Sequence, residues 1–149
     1  MNLFNGLNIS ASGLTANRLR MDVVSSNIAN ANTNRAKIVD GEWVPYRRKS
    51  VDLTQSGVSP FQQQLHSAMG KSSVSGVSVS SIKEDRAPFI QTYDPAHPDA
   101  NEEGYVFSPN VDPVKEMVDL MSATRSYEAN VTALNASKSM FMKALEIGK

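Results

Sequence analysis

Residues 110–149 read NVDPVKEMVDLMSATRSYEANVTALNASKSMFMKALEIGK, and this stretch decides how the remainder of the chain is read. Leu120, Tyr127, Leu134 and Phe141 recur every seven positions, and Met117, Thr124, Val131, Lys138 and Leu145 form a second row three residues earlier in each heptad. Two rows at that spacing predict a seam for a partner helix. Asp112 fits an N-cap, Pro113 the first helical turn and Gly148 the stop. Acidic Asp112, Glu116 and Asp119 early, and Lys138, Lys143 and Lys149 late, complement the helix dipole. Such a helix would run about 52 Å at 1.5 Å per residue, whereas a compact globule of this chain length is only about 38 Å across. Either it breaks, or other chains cover much of its apolar face.

Working outward, a second heptad row lies at the other end of the chain: Leu7, Leu14, Met21 and Ile28, with Ala11, Val24 and Ala31 beside it. Gly6 and Gly13 each cost about 1 kcal/mol relative to alanine in a helix, and the asparagines and serines compete for backbone hydrogen bonds. In isolation this segment is expected to fray. Gly6, Ser10 and Gly13 offer a strip of small residues where another backbone can approach closely. The run Ser25-Ser26-Asn27-Ile28-Ala29-Asn30-Ala31-Asn32-Thr33-Asn34 stops the helix, since asparagine tolerates the left-handed conformation. Asn27 and Asn30, if buried, need several partners each and would fix the register of an interface.

The pattern Ser12-Gly13-Leu14-Thr15-Ala16-Asn17-Arg18, followed by Asn27-Ile28-Ala29-Asn30 and Asn32-Thr33, resembles the N-terminal signature of the bacterial flagellar rod and hook axial proteins. The runs Asn110 to Val118 and Ala123 to Asn130 resemble their C-terminal signature, in the right order. The short length and the run Tyr93 to Ala100 through Gly104-Tyr105-Val106 are most similar to the small proximal-rod type. The resemblance implies a structural subunit of the proximal rod, outside the cytoplasm in the flagellar basal body. Such a subunit polymerises helically with copies of itself and with other rod proteins to transmit torque. It also implies export, unfolded, through the flagellar type III apparatus. A soluble helical adaptor binding one partner helix is the alternative.

The fold expected from these readings is mainly α, with long N- and C-terminal helices paired as a coiled coil and a small β-rich or irregular insert between them. Residues 1–34 form the N-terminal helix of the rod core, 35–110 the insert and 111–149 the C-terminal helix. Antiparallel pairing is expected, because the insert joins the two helices compactly. In the insert, Trp43, Val44, Tyr46 and Val51 have β-type composition interrupted by Pro45. Short strands are expected at Val77 to Ile82, Phe89 to Tyr93 and Tyr105 to Phe107. Residues 54–76, rich in Ser, Gln and Gly, read as a flexible linker. Arg47-Arg48-Lys49 reads as a solvated basic face, or one facing an acidic neighbour.

Composition narrows function mostly by exclusion. Fifteen basic and fifteen acidic residues cancel, leaving no electrostatic footprint for nucleic acid. There is no cysteine, hence no disulfide and no thiolate chemistry. No run approaches a membrane span, so no direct membrane insertion is expected, and Met1 to Ser12 lacks the pattern of a signal peptide. Asp94, His97, Asp99, Glu102 and Glu103 form an acidic loop whose spacing matches no metal motif. His66 and His97 are the only imidazoles, and no nucleophile elbow or phosphate loop accompanies them. No catalytic residue, metal, cofactor or small-molecule substrate is expected. The residues assigned to helix pairing and assembly are Leu7, Leu14, Met21, Asn27, Ile28, Asn30, Leu120, Tyr127, Leu134 and Phe141.

Overall fold

The computed structural model describes residues 4–39, 41–56, 64–65, 68–69 and 75–147. In chain order it contains α1 (Asn5–Ala29), β1 (Lys37–Val39), β2 (Glu42–Val44), β3 (Lys49–Gln55), β4 (Val77–Glu84), β5 (Ile90–Tyr93), β6 (Tyr105–Ser108) and α2 (Pro113–Ile147). The strands form three two-stranded sheets, β1 with β2, β3 with β4 and β5 with β6. Of the described residues about 49% are helical and 22% lie in strands.

This corrects the expected fold. The chain is a helix–strand–helix arrangement with three small antiparallel sheets, not a mainly α coiled coil with a minor insert. The heptads mark where helices run, but the burial around them differs from a seam of apolar layers. Met117, Thr124, Lys138 and Leu145 are exposed, and only Val131 of the expected second row is half-buried. Glu116, Ala123, Asn130 and Ser137 are covered in its place. They repeat by seven just as well, but are small or polar and so left no apolar signal.

α2 starts and α1 stops for local reasons. Asp112 caps α2, its Oδ1 accepting from the backbone N–H groups of Val114 (2.9 Å) and Lys115 (3.3 Å), and Pro113 opens the first turn. The proposed stop at Gly148 lies outside the described residues. α1 runs for 25 residues despite its weak propensity, which tertiary packing overrides. It ends in the asparagine run, where Asn30 Nδ2 donates back to the Ser26 carbonyl at 2.9 Å.

In the middle of the chain, β1 pairs with β2 through Ile38 opposite Trp43 and Val39 opposite Glu42, and Gly41 takes a φ of 89° at the turn, where a side chain would be strained. Strand β1 was not expected from the sequence, although Asp40-Gly41 is a hairpin signal. Pro45 ends β2, consistent with its missing N–H. Strands β5 and β6 pair with Thr92 opposite Val106 and Tyr93 opposite Tyr105. The linker reading of 54–76 falls largely outside the described residues, as does His66.

The chain packs as two units, one of residues 1–19, 52–81 and 123–149, the other of residues 20–51 and 82–122. In the first, Phe4 stacks on Phe141 with ring centroids 5.8 Å apart. A Cβ on Gly13 would sit 3.0 Å from the Asn130 amide, so the two helices touch there through a glycine, running antiparallel. The first unit also joins α1 to β4, since Ser12 Oγ accepts from the Val77 N–H at 3.0 Å. In the second, Val23, Val24, Pro45, Tyr46, Val106, Pro109 and Val111 are buried, together with the polar Asn27 and Glu116.

Candidate functional site

The largest fully buried side chains include Glu116 and Asn27, both 0% exposed. That is an unusual pair for a protein interior, where a carboxylate must be matched or cost several kcal/mol. Here each polar atom has a partner. Asn27 Nδ2 donates to the Lys49 carbonyl (2.8 Å) and to Glu116 Oε2 (2.9 Å). Asn27 Oδ1 accepts from the Tyr46 hydroxyl (3.0 Å) and from the Lys49 N–H (2.9 Å). Four bonds exhaust the capacity of the amide.

Glu116 is balanced in charge as well as in hydrogen bonds. Its Oε1 accepts from Arg48 Nε at 2.6 Å, and the same guanidinium reaches Asp119 Oδ2 at 3.4 Å. Arg20 pairs with Asp119 Oδ1 at 3.5 Å. Two guanidiniums therefore face two carboxylates. Arg48 is itself held through its backbone, its N–H donating to Asn110 Oδ1 (2.9 Å) and its carbonyl accepting from the Asp85 N–H (2.7 Å). One cluster thus joins α1, the loop after β2, the start of β3 and the first turns of α2 within the second unit. It contains no poised nucleophile or free base. What the arrangement can do is fix register: a slip of α1 or α2 by one residue would bury an unpaired charge.

The expected residues are distributed unevenly around this junction. Asn27 is at its centre. Asn30 accepts from Thr33 Oγ1 at 3.3 Å and closes α1. Leu7, Leu14, Met21 and Ile28 are all half-buried, as are Leu120, Tyr127, Leu134 and Phe141; the ring partner of Phe141 is Phe4, outside the N-terminal row. Arg48 is not part of a solvated face, because its side chain is only 20% exposed. Glu116, Tyr46 and Asn110 were missed as site residues. Glu116 reads in sequence as a first-turn charge, and only its repeat with Ala123 and Asn130 hints that it faces inward. The acidic loop is tied down internally: Asp99 pairs with Arg35, and His97 Nδ1 accepts from the Asp99 N–H at 3.1 Å. Among the described residues no group of three or more His, Asp or Glu side chains is placed to hold a metal.

Comparison with known proteins matches both ends of this architecture. Residues 7–37 match the family described as "Flagella basal body rod protein", and residues 102–147 match "Flagellar basal body rod FlgEFG protein C-terminal". The flagellar basal-body rod protein FlgC of Bacillus subtilis is 64% identical over the whole of both chains. The chain belongs to the FlgC-type flagellar basal-body rod proteins. The FlgC protein of Borreliella burgdorferi is 45% identical over 99% of this chain and 98% of its own, and that of Escherichia coli O157:H7 is 42% identical over the full length of both. Membership makes the rod subunit a structural protein of the bacterial flagellar basal body. The first matched region contains Asn27 and the second contains Asn110, Glu116 and Asp119, while Tyr46, Arg48 and Lys49 lie between the two.

Proposed function

We propose that this subunit builds the proximal rod by stacking helically with copies of itself and with other rod proteins, and that it transmits torque without enzymatic activity. In this reading residues 1–34 and 111–149 form the rod core and 35–110 the insert, and the chain reaches its site unfolded through the type III export apparatus. The observation that carries it is on α2: Val114, Met117, Val118 and Met121 are 52% to 70% exposed and, at steps of three and four, share one helical face. A helix that presents its apolar stripe outward while its covered row is small and polar is half of an interface. Among the described residues twenty-one large hydrophobic side chains are exposed. That exposed apolar surface is available to partners.

Family membership favours this reading over a helical adaptor with one partner. Leu7, Leu14, Met21, Ile28, Leu120, Tyr127, Leu134 and Phe141, with Asn27 and Asn30, serve pairing and assembly in it. A strain lacking the chain should build no complete rods in images of isolated basal bodies, and wild-type chain should restore them. Leu134→Asp should not, since it places a charge on a half-covered apolar position at a cost of several kcal/mol. Normal rods in the deletion strain would refute the assignment, and normal rods with Leu134→Asp would remove that residue from the interface.

A further inference from the structure

In a chain with fifteen acids and fifteen bases, the second unit holds two arginines, Arg47 and Arg86, and two glutamates, Glu102 and Glu103, that among the described residues form no ion pair. One cleft is lined by Arg47, Lys83, Glu84 and Arg86; a second shares Arg47 and Glu84 with it and adds Lys37 and Lys49. Among the described residues Glu84 is the only carboxylate lining either cleft, and its Oε2 is 3.5 Å from Lys37. Arg47 is fixed there by neutral groups: its guanidinium donates to the carbonyls of Asp85 (3.3 Å) and Ala87 (3.5 Å) and lies 4.3 Å over the Phe89 ring. Its charge is held in position without being neutralised. Arg86 is exposed and, among the described residues, has no ion-pair partner.

The complementary charge is carried by the turn between β5 and β6. Asn101 builds that turn, its Oδ1 accepting from the N–H groups of Glu103 (3.1 Å) and Tyr105 (2.8 Å), and its carbonyl from Gly104 (2.9 Å). Gly104 supplies the required φ of 80°. Glu102 and Glu103 stand exposed at the tip, and among the described residues neither carboxylate has an ion-pair partner.

We propose that the basic cleft of one subunit receives the Glu102-Glu103 turn of a second copy of this chain. This rests on the rod-subunit reading and deepens it by naming one of the surfaces through which copies meet. A patch and its complement at different places on one surface make a heterologous, head-to-tail contact, which propagates when its rotation does not close. The turn is ordered before it docks, so little conformational entropy is lost on binding. Cleft walls focus the field of their charges, which aligns the two surfaces as they approach.

The test uses charge reversal in the deletion strain. Arg86→Glu alone, and Glu102→Lys with Glu103→Lys, should each lower the number of rods per cell by about tenfold or more. Far-ultraviolet circular dichroism of the purified variants should match wild type, because all three side chains are exposed. The triple variant carrying all three reversals should return rod numbers to within about twofold of wild type, because every cleft then meets a turn of opposite sign on the next copy. Rods at wild-type numbers with either reversal alone would overturn the contact. Failure of the triple variant would also overturn it, since a cleft that faces a different protein is not repaired by changing this chain's turn. Both results leave the rod-subunit reading standing if wild-type chain restores rods; that reading fails if rods form with no chain present.

Discussion

The junction around Asn27 and the stripe from Val114 to Met121 lie within a few turns of each other along α2 and invert the usual rule of burial. At the junction the fully buried groups are an amide and a carboxylate. On the stripe two valines and two methionines are exposed. Hydrogen bonds and charge pairs are directional, so a polar interior defines one arrangement of α1, β3 and α2. Apolar contact is non-directional and scales with area removed from water, so leaving it outside defers stabilisation until a neighbour covers it. The inside of the subunit is specified by geometry, and its outside is left with apolar area that, in the reading proposed above, a neighbour covers.

The largest effect is expected from Glu116→Ala. It removes the nearer of the two carboxylates that Arg48 faces and leaves one Asn27 N–H without its buried acceptor, and should cost about 3–5 kcal/mol as read from the shift in urea midpoint. A loss under about 1 kcal/mol would mean that water replaces the carboxylate, and the junction would not be a register device. A smaller effect is expected at the helix start. Asp112→Ala removes the acceptor for the Val114 and Lys115 N–H groups and should lower stability by about 1 kcal/mol with no change in the urea slope. The smallest effect on the subunit is predicted on the stripe. Met121→Asp should change its stability by no more than about 0.5 kcal/mol, yet abolish rod restoration in the deletion strain. If it unfolded the subunit, the stripe would belong to the interior.

Legibility followed the same divide. Helix α2 was readable to its first residue because cap, proline and periodicity agree at Asp112-Pro113. The asparagine run marked the end of α1 because its chemistry is local. Three features were not readable. Strand β1 is three residues long with every residue exposed, so no alternation of burial could announce it. The covered row Glu116, Ala123, Asn130 and Ser137 carries no hydrophobic signal, and the eye for periodicity settled on the apolar row one residue along. Arg48 was misplaced because a charge in a short basic run looks the same whether it faces water or a carboxylate 68 positions away.

Read without its structure, the sequence held two long helices, the cap that starts α2, the asparagine run that ends α1, strands in the middle and, through its two terminal signatures, the flagellar rod family. These follow from interactions between residues a few positions apart, or from motifs short enough to read directly. Only the tertiary structure decided which helical face turns inward, that Asn27 meets Glu116 and that Arg48 closes the pair. Those outcomes depend on partners far along the chain, and a polar side chain does not reveal from its own identity whether its partner is water or protein.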